Sequence, residues 1–340
     1  MKRIGCINWD SCIPSTYFGG HTLRTLSNFP ERLPYYTQKE DNKYFFKKRS
    51  QADYDRELVY AIEAGIDFFA HCWYSETEVL NAKYNPGNEY LGTHISELSF
   101  ARKMHENSRY RDKIKMCAII AAYEMNDEDY KKLSSTMQEE YYEKTSNGQP
   151  LVFVFDALND IAKLEVDKLL KHTDSLGIKP YLVGIVNADF DAIPHRCNMP
   201  KYDAFSAYAE FASTDNFGKF VEYTLENNKN RGNYDLPSLP LYSTGWNPLP
   251  RIKTTVPWIE YENKEYTPVA SPQELIDGAY KFREWSRENK AICDNEYVLI
   301  YAWNEFEEGG WICPTLSEDG NIDTSRRNAL TEVTDILKKI

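Results

Sequence analysis

EYVLIYAWNEFEEGG, residues 296–310, holds the reading of the whole chain. Its first half, through Trp303, is a near-continuous apolar run. Such a run suits a strand buried on both faces, as in a parallel sheet. The second half sets Asn304, Glu305, Glu307 and Glu308 directly after that run and closes on Gly309 and Gly310. Burying charge without a partner is costly. A strand that ends in three carboxylates either runs out into water or delivers acid–base groups to a site.

The same kind of run recurs along the chain: RIGCINW (3–9), IDFFAHCW (66–73), IKMCAIIAAY (114–123), LVFVFD (151–156), PYLVGIV (180–186), YDAFSAY (202–208) and LPLYSTGW (239–246) come before EYVLIYAW (296–303). Amphipathic stretches predict helices over 53–65, 94–108, 127–144, 159–177, 216–228, 271–289 and 324–339. Ser, Thr, Asp or Asn stands at most of their starts, where a side-chain oxygen caps free N–H groups. Gly65 and Gly177 stand where two of them should stop. Eight strands alternating with helices predict an α/β chain folded as one (β/α)8 TIM barrel over residues 1–340. The alternative is a doubly wound open sheet, but no Gly-rich phosphate loop follows the first strand. The fifth unit is irregular, since 187–201 reads as loop. Residues 10–52 and 246–270 are long insertions after strands 1 and 7, and in a barrel both fall at the C-terminal mouth.

Composition narrows the function. The net charge of −12 disfavours nucleic acid as a partner, because phosphate binding relies on clustered Lys and Arg. The densest basic run, KYFFKKR (43–49), is short and reads as a solvated loop. The seven cysteines form no CxxC and several lie in apolar runs, which suits reduced thiols in a cytoplasmic protein. No segment approaches the length of a membrane span. The six histidines are scattered, so no metal site or cofactor is expected, and no GxSxG elbow or dinucleotide loop is present.

In a barrel enzyme the chemistry gathers at the C-terminal ends of the strands. Those ends carry Trp9 and Asp10; His71, Trp73 and Tyr74; Glu124; Asp156; Asn187 and Asp189; Tyr208 and Glu210; Trp246 and Asn247; and Asn304, Glu305 and Glu308. Taken singly, each has a plainer reading: Asp10 and Asp156 as caps of turns, His71 as a satisfied core histidine. Together, carboxylates and rings with few cations describe a cleft for a neutral carbohydrate. Glycoside hydrolysis needs two carboxyl groups, and the spacing of Glu305 and Glu308 in a turn aims both at one pocket while Glu307 points elsewhere. Like charges brought together and partly buried raise one pKa, as a general acid requires. An exposed acidic turn is the plain alternative.

The wider motif is more specific. AWNEFEEGGWICPT (302–315) resembles the signature that ends the last strand in glycoside hydrolase family 99 and in the family 99-like, WbsX-type proteins. In order along the chain, 51–74, GQPLVFVFDA (148–157), YDAFSAYAEFAS (202–213) and STGWNPLPR (243–251) are similar to further segments of that group. The resemblance implies a retaining glycosidase in which Glu305 is the base on the sugar's own 2-hydroxyl and Glu308 is the acid that protonates the leaving group. O2 then attacks the anomeric carbon and forms a 1,2-anhydro sugar, a geometry open to α-mannosides. Tyr208 matches a tyrosine of the family's sugar site. Family 99 has His where this chain has Glu307, and Trp-Asp-Asn where it has Trp246, Asn247 and Pro248. The expected substrate-binding set is Trp9, Asp10, His71, Trp73, Tyr74, Glu124, Asp156, Tyr208, Trp246 and Asn304. The competing expectations are a WbsX-type glycosyltransferase, with Arg251 as the best phosphate contact, and a non-catalytic sugar-binding barrel. Oligomeric state is not legible.

Overall fold

The computed structural model describes residues 1–14, 16–41, 43–77, 94–120, 125–187, 190–193, 202–234, 236–261, 266–294, 296–317 and 319–340. Eight parallel strands make the central sheet: β1 (Arg3–Asn8), β2 (Phe68–Trp73), β3 (Lys115–Ile120), β4 (Leu151–Val154), β5 (Tyr181–Ile185), β6 (Ala204–Ser206), β7 (Leu241–Ser243) and β8 (Tyr297–Tyr301). Their order around the sheet is β6-β5-β4-β3-β2-β1-β8-β7. The remaining seam, between β6 and the approach to β7, is bridged where Leu239 N donates to Phe205 O at 2.7 Å and Phe205 N to Pro237 O at 3.0 Å. The fold is a (β/α)8 barrel, as the eight apolar runs predict.

The barrel helices are α1 (Gln51–Glu63), α2 (Phe100–Glu106), α3 (Asp127–Thr136), α4 (Asp160–Ser175), α5 (Phe217–Arg231), α6 (Pro272–Glu288) and α7 (Ser325–Leu337). Ser50 with Asp53, Asn126 with Asp129, and Ser271 with Glu274 form reciprocal capping boxes at the starts of α1, α3 and α6. Two helix expectations need correction. The stretch 94–108 is not one helix: a 3₁₀ turn over Ile95–Ser99 leads into α2. The stretch 127–144 stops being helical at Thr136, because Tyr141 and Glu143 extend alongside β3. Met116 N donates to Tyr141 O at 3.0 Å and Glu143 N to Met116 O at 2.7 Å. The expected loop 187–201 lies largely outside the described residues.

The insertion after β1 folds into a helix (Tyr17–Leu26) and a hairpin of Thr37–Glu40 with Lys43–Phe46, and the insertion after β7 carries a short helix, Leu249–Lys253. The two meet where the first of these helices packs on the last. Among the described residues six cysteines form no disulfide, and five of these are buried, with Cys72 partly so. Among the described residues no helix is long and apolar enough to cross a membrane.

Candidate active site

The chain leaves β8 under tight constraint. Trp303 N donates to Ile7 O at 2.8 Å, its carbonyl accepts from Ile312 N and Cys313 N, and its indole N–H donates to Glu57 Oε1 at 3.0 Å. These bonds tie the strand end to β1 and α1. Asn304 and Glu305 then pair antiparallel with Trp311 and Gly310, so residues 306–309 form the turn of a small hairpin. Gly309 has φ +85°, and a Cβ there would lie 2.6 Å from the Asn247 backbone. A Cβ on Gly310 would lie 2.2 Å from the Tyr301 ring. The two glycines let the hairpin press against β8 and the loop after β7. Glu305 and Glu308 both face the space so formed.

That space is a cavity of about 270 Å³. Ile119 and Cys72 line it from the strands, Phe155 from just past β4, and Trp9, Tyr74, Tyr208, Trp258 and Ile259 supply rings and one aliphatic chain. The Trp9 indole N–H donates to the Tyr74 hydroxyl at 2.9 Å. Asn304 holds the backbone of the first strand end in place, accepting from Trp9 N at 2.9 Å.

The two glutamates differ in their partners. Glu308 accepts from the Arg251 guanidinium, from the Tyr261 hydroxyl at 2.9 Å and from the Tyr301 hydroxyl at 2.7 Å. The Glu305 carboxylate accepts from the Tyr208 hydroxyl, its one hydrogen bond from the described residues. Burial pushes the Glu305 carboxyl well above the ordinary carboxylate range. Glu308 beside it adds to the rise, and Arg251 and Tyr208 offset only part of it. Burial and the neighbouring Glu308 thus favour the protonated form of Glu305. Burial works against the Arg251 charge, but Glu307 and Glu308 outweigh it and keep the guanidinium protonated. Burial above all raises Tyr208, Tyr261 and Tyr301, with the neighbouring carboxylates (and Cys72 at Tyr208) adding to it, so all three stay hydroxyl donors.

Glu307 turns away from the cavity. It accepts from Thr22 Oγ1 at 3.1 Å and from Arg251 at 3.2 Å, while its Oε1 is buried without a hydrogen-bond partner among the described residues. Of the residues singled out from the sequence, Trp9, Tyr74, Tyr208, Glu305 and Glu308 meet at the cavity, with Asn304 just behind it. Others have protein partners instead. Asp10 is buried in an ion pair with Arg49, and Trp73 is buried beneath the Arg102 guanidinium, 4.0 Å from its ring centre. His71 Nε2 lies 2.9 Å from His105 Nδ1, and His105 Nε2 lies 2.8 Å from Ile114 O. Burial, with His105 beside it, pushes His71 well below the ordinary imidazole range, and burial takes His105 to about 4. Glu210 is paired with Arg231 and Asn227. Trp246 packs edge-on to Phe211 and near Tyr261 and Tyr301. Asp156 opens onto a different, larger cavity. Glu124 and Asp189 lie outside the described residues. Among the described residues, no three His, Cys, Asp or Glu side chains gather as a metal site requires.

Sequence reasoning missed Tyr301, Tyr261 and Trp258, and placed Arg251 only as a phosphate contact. Tyr301 sits within the apolar run of β8 and reads there as core. Tyr261 and Trp258 belong to an insertion with no periodicity to orient them.

Fold and site together define a class: a (β/α)8 barrel with a carboxylate pair in an aromatic cleft at the C-terminal end of its strands. The sequence matches no family model and no curated protein. Among solved structures, the chain is similar to the GH99 endo-α-mannosidase of Bacteroides thetaiotaomicron in complex with bis-tris-propane. The TM-score is 0.60 at 14% identity, over 99% of this chain and 96% of that one. A second structure of that endo-α-mannosidase matches with a TM-score of 0.50 at 15% identity, over 85% of this chain and 80% of that one. The similarity is one of fold, and it spans the whole barrel.

Proposed function

We propose that this protein is a retaining glycoside hydrolase that acts on an oligosaccharide or glycan, with Glu305 and Glu308 as its catalytic pair and residues 1–340 as one catalytic domain. The observation that carries the reading is that both glutamates of one hairpin face a single cavity walled by Trp9, Tyr74, Tyr208 and Trp258. Rings of this kind stack on the apolar faces of a sugar. The likeness in fold to an endo-α-mannosidase agrees with the resemblance of the NEFEEGG segment to family 99, and an α-mannoside-like substrate is the narrower form of the proposal. Free thiols and an acidic surface fit a cytoplasmic enzyme that does not bind nucleic acid.

The reaction needs one proton shared by two carboxylates. Glu305 takes the proton of the sugar's 2-hydroxyl as O2 attacks C1, and Glu308 gives a proton to the departing oxygen. In the second step Glu308 takes a proton from water, the hydroxide adds at C1 as the C1–O2 bond opens, and Glu305 returns its proton to O2. Burial and the adjacent Glu308 favour the protonated form of Glu305, whereas the base role needs it ionised. The sugar's 2-hydroxyl, donating to Glu305, favours that ionised form.

A glycosyltransferase needs cations for a nucleotide diphosphate. Arg251, the cation that the sequence offered for it, is buried between Glu307 and Glu308, which weighs against that reading. The test is hydrolysis of a panel of glycans and aryl glycosides by the purified protein and its Glu305→Gln and Glu308→Gln variants. Cleavage by the parent protein, lost in both folded variants, is the expected result. Turnover only with a nucleotide sugar, or cleavage undiminished in the variants, overturns it.

A further inference from the structure

A second cavity, of about 840 Å³, opens at the ends of β4, β5 and β6. It shares a wall with the first. Phe155 lines the small cavity and the next residue, Asp156, lines the large one. Phe155 packs edge-on to Tyr208 with ring centres 5.5 Å apart, and Tyr208 N donates to Asn187 Oδ1 at 2.9 Å, with Asn187 on the far side.

Three residues there keep groups that the fold does not use. Asp156 has φ +48°, a left-handed conformation unusual outside glycine, which turns it away from the face of its neighbour. Its carboxylate accepts no hydrogen bond from the described residues, and burial raises its pKa. The Asn187 side-chain oxygen is taken by Tyr208, so its amide N–H groups are left as donors on a residue that lines the cavity. Phe211 is 49% exposed, with its edge held by Trp246 at a centroid distance of 4.6 Å. A carboxylate acceptor, an amide donor and an exposed ring are what a sugar's vicinal hydroxyls and apolar face call for. Asp160 and Asp191 add negative charge, and the described residues that line the cavity include no Lys or Arg.

We propose that this cavity is a second sugar subsite, formed by Asp156, Asn187 and Phe211, which takes a neutral or amino sugar residue linked to the one at Glu305 and Glu308, and which rejects sulfated, sialylated and uronic residues. The proposal rests on the glycosidase reading and narrows its substrate to a chain of at least two residues without acidic groups. Repulsion by the three aspartates supplies the discrimination.

The test uses the full chain on a glycan array that carries neutral, amino, sulfated and sialylated oligosaccharides and their component monosaccharides. Solution titration of the best-bound glycan follows, with the Phe211→Ala and Asp156→Gly variants alongside. Phe211 is exposed, and glycine accepts the backbone conformation of Asp156, so both variants should fold. Neutral or amino oligosaccharides should bind better than monosaccharides, and each variant should weaken binding about tenfold. Preferential binding of acidic glycans overturns the proposal. So does unchanged affinity in both variants, which leaves the glycosidase reading standing if aryl glycosides are still cleaved. Absence of any glycan binding together with absence of cleavage overturns both.

Discussion

Arg49 and Arg251 are both buried near the mouth of the barrel, and each lies between two carboxylates. Arg49 holds Asp10 and Glu57; Arg251 holds Glu307 and Glu308. The surroundings differ. Around Arg49 every carboxylate oxygen has a donor. Cys12 N donates to Asp10 Oδ1 at 3.1 Å and Trp303 to Glu57 Oε1, with Arg49 on the other two. The bonds of this cluster fasten the insertion after β1 to α1 and to the end of β8. Around Arg251, Glu308 faces a cavity, and among the described residues Glu305 shares that cavity with a single tyrosine donor and one Glu307 oxygen is unsatisfied. The lesson is that a buried arginine between two acids is a clamp when every oxygen is taken, and a candidate for chemistry when the acids meet open space.

The largest effect that sharpens the contrast is on turnover. Glu305→Gln should lower activity by about 10²–10⁴-fold while the folded variant still binds sugar. Loss of folding instead would make Glu305 a structural residue and erase the difference between the two clusters. Next comes stability. Arg49→Met leaves Asp10 and Glu57 buried without their cation, and breaking such a pair should cost about 3–5 kcal/mol in denaturant unfolding. A change below about 1 kcal/mol would remove the clamp reading.

A smaller effect concerns pH. Removing a cation raises the pKa of a neighbouring carboxylate, so Arg251→Gln should move the acidic limb of the kcat/KM profile to higher pH, with Glu305, Glu307 and Tyr261 still in place. An unmoved limb would mean that Arg251 does not set the charge of the pair. The smallest effect lies at the opposite end of the barrel, where Arg3 holds a single buried acid, Glu143, which also accepts from Tyr297 at 3.1 Å. Burial, against the pull of Arg3, raises Glu143 to about 7. Its folded pKa lies above the unfolded one. Its contribution to stability is therefore full below about pH 4.5 and is lost as pH rises through 7. Glu143→Gln should flatten that part of the stability profile, measured by urea midpoints between pH 4 and 8. An identical slope in the variant would contradict the assignment.

The barrel was legible because each strand announces itself as an apolar run and each helix as an amphipathic stretch with a cap, both local signals. Where a local signal misled, a distant partner explains it: Glu143 reads as helix by composition, but its backbone pairs with Met116. The Glu305 and Glu308 pair was legible because one hairpin carries both, with Gly309 and Gly310 marking the turn. Arg251, Tyr261 and Trp258 were not, since an irregular insertion brings them to the cavity from far along the chain. Asp10 and His71 looked like site residues at strand ends, but sequence does not reveal that Arg49 and His105 wait to pair with them.

The most direct test of the central claim is kcat/KM of Glu308→Gln, relative to the parent protein, on aryl glycosides whose leaving groups grow steadily poorer. If Glu308 protonates the departing oxygen, the loss should be small for activated leaving groups and grow as the leaving group becomes more basic. An equal loss across the series, or a parent protein that cleaves none of them, would contradict it.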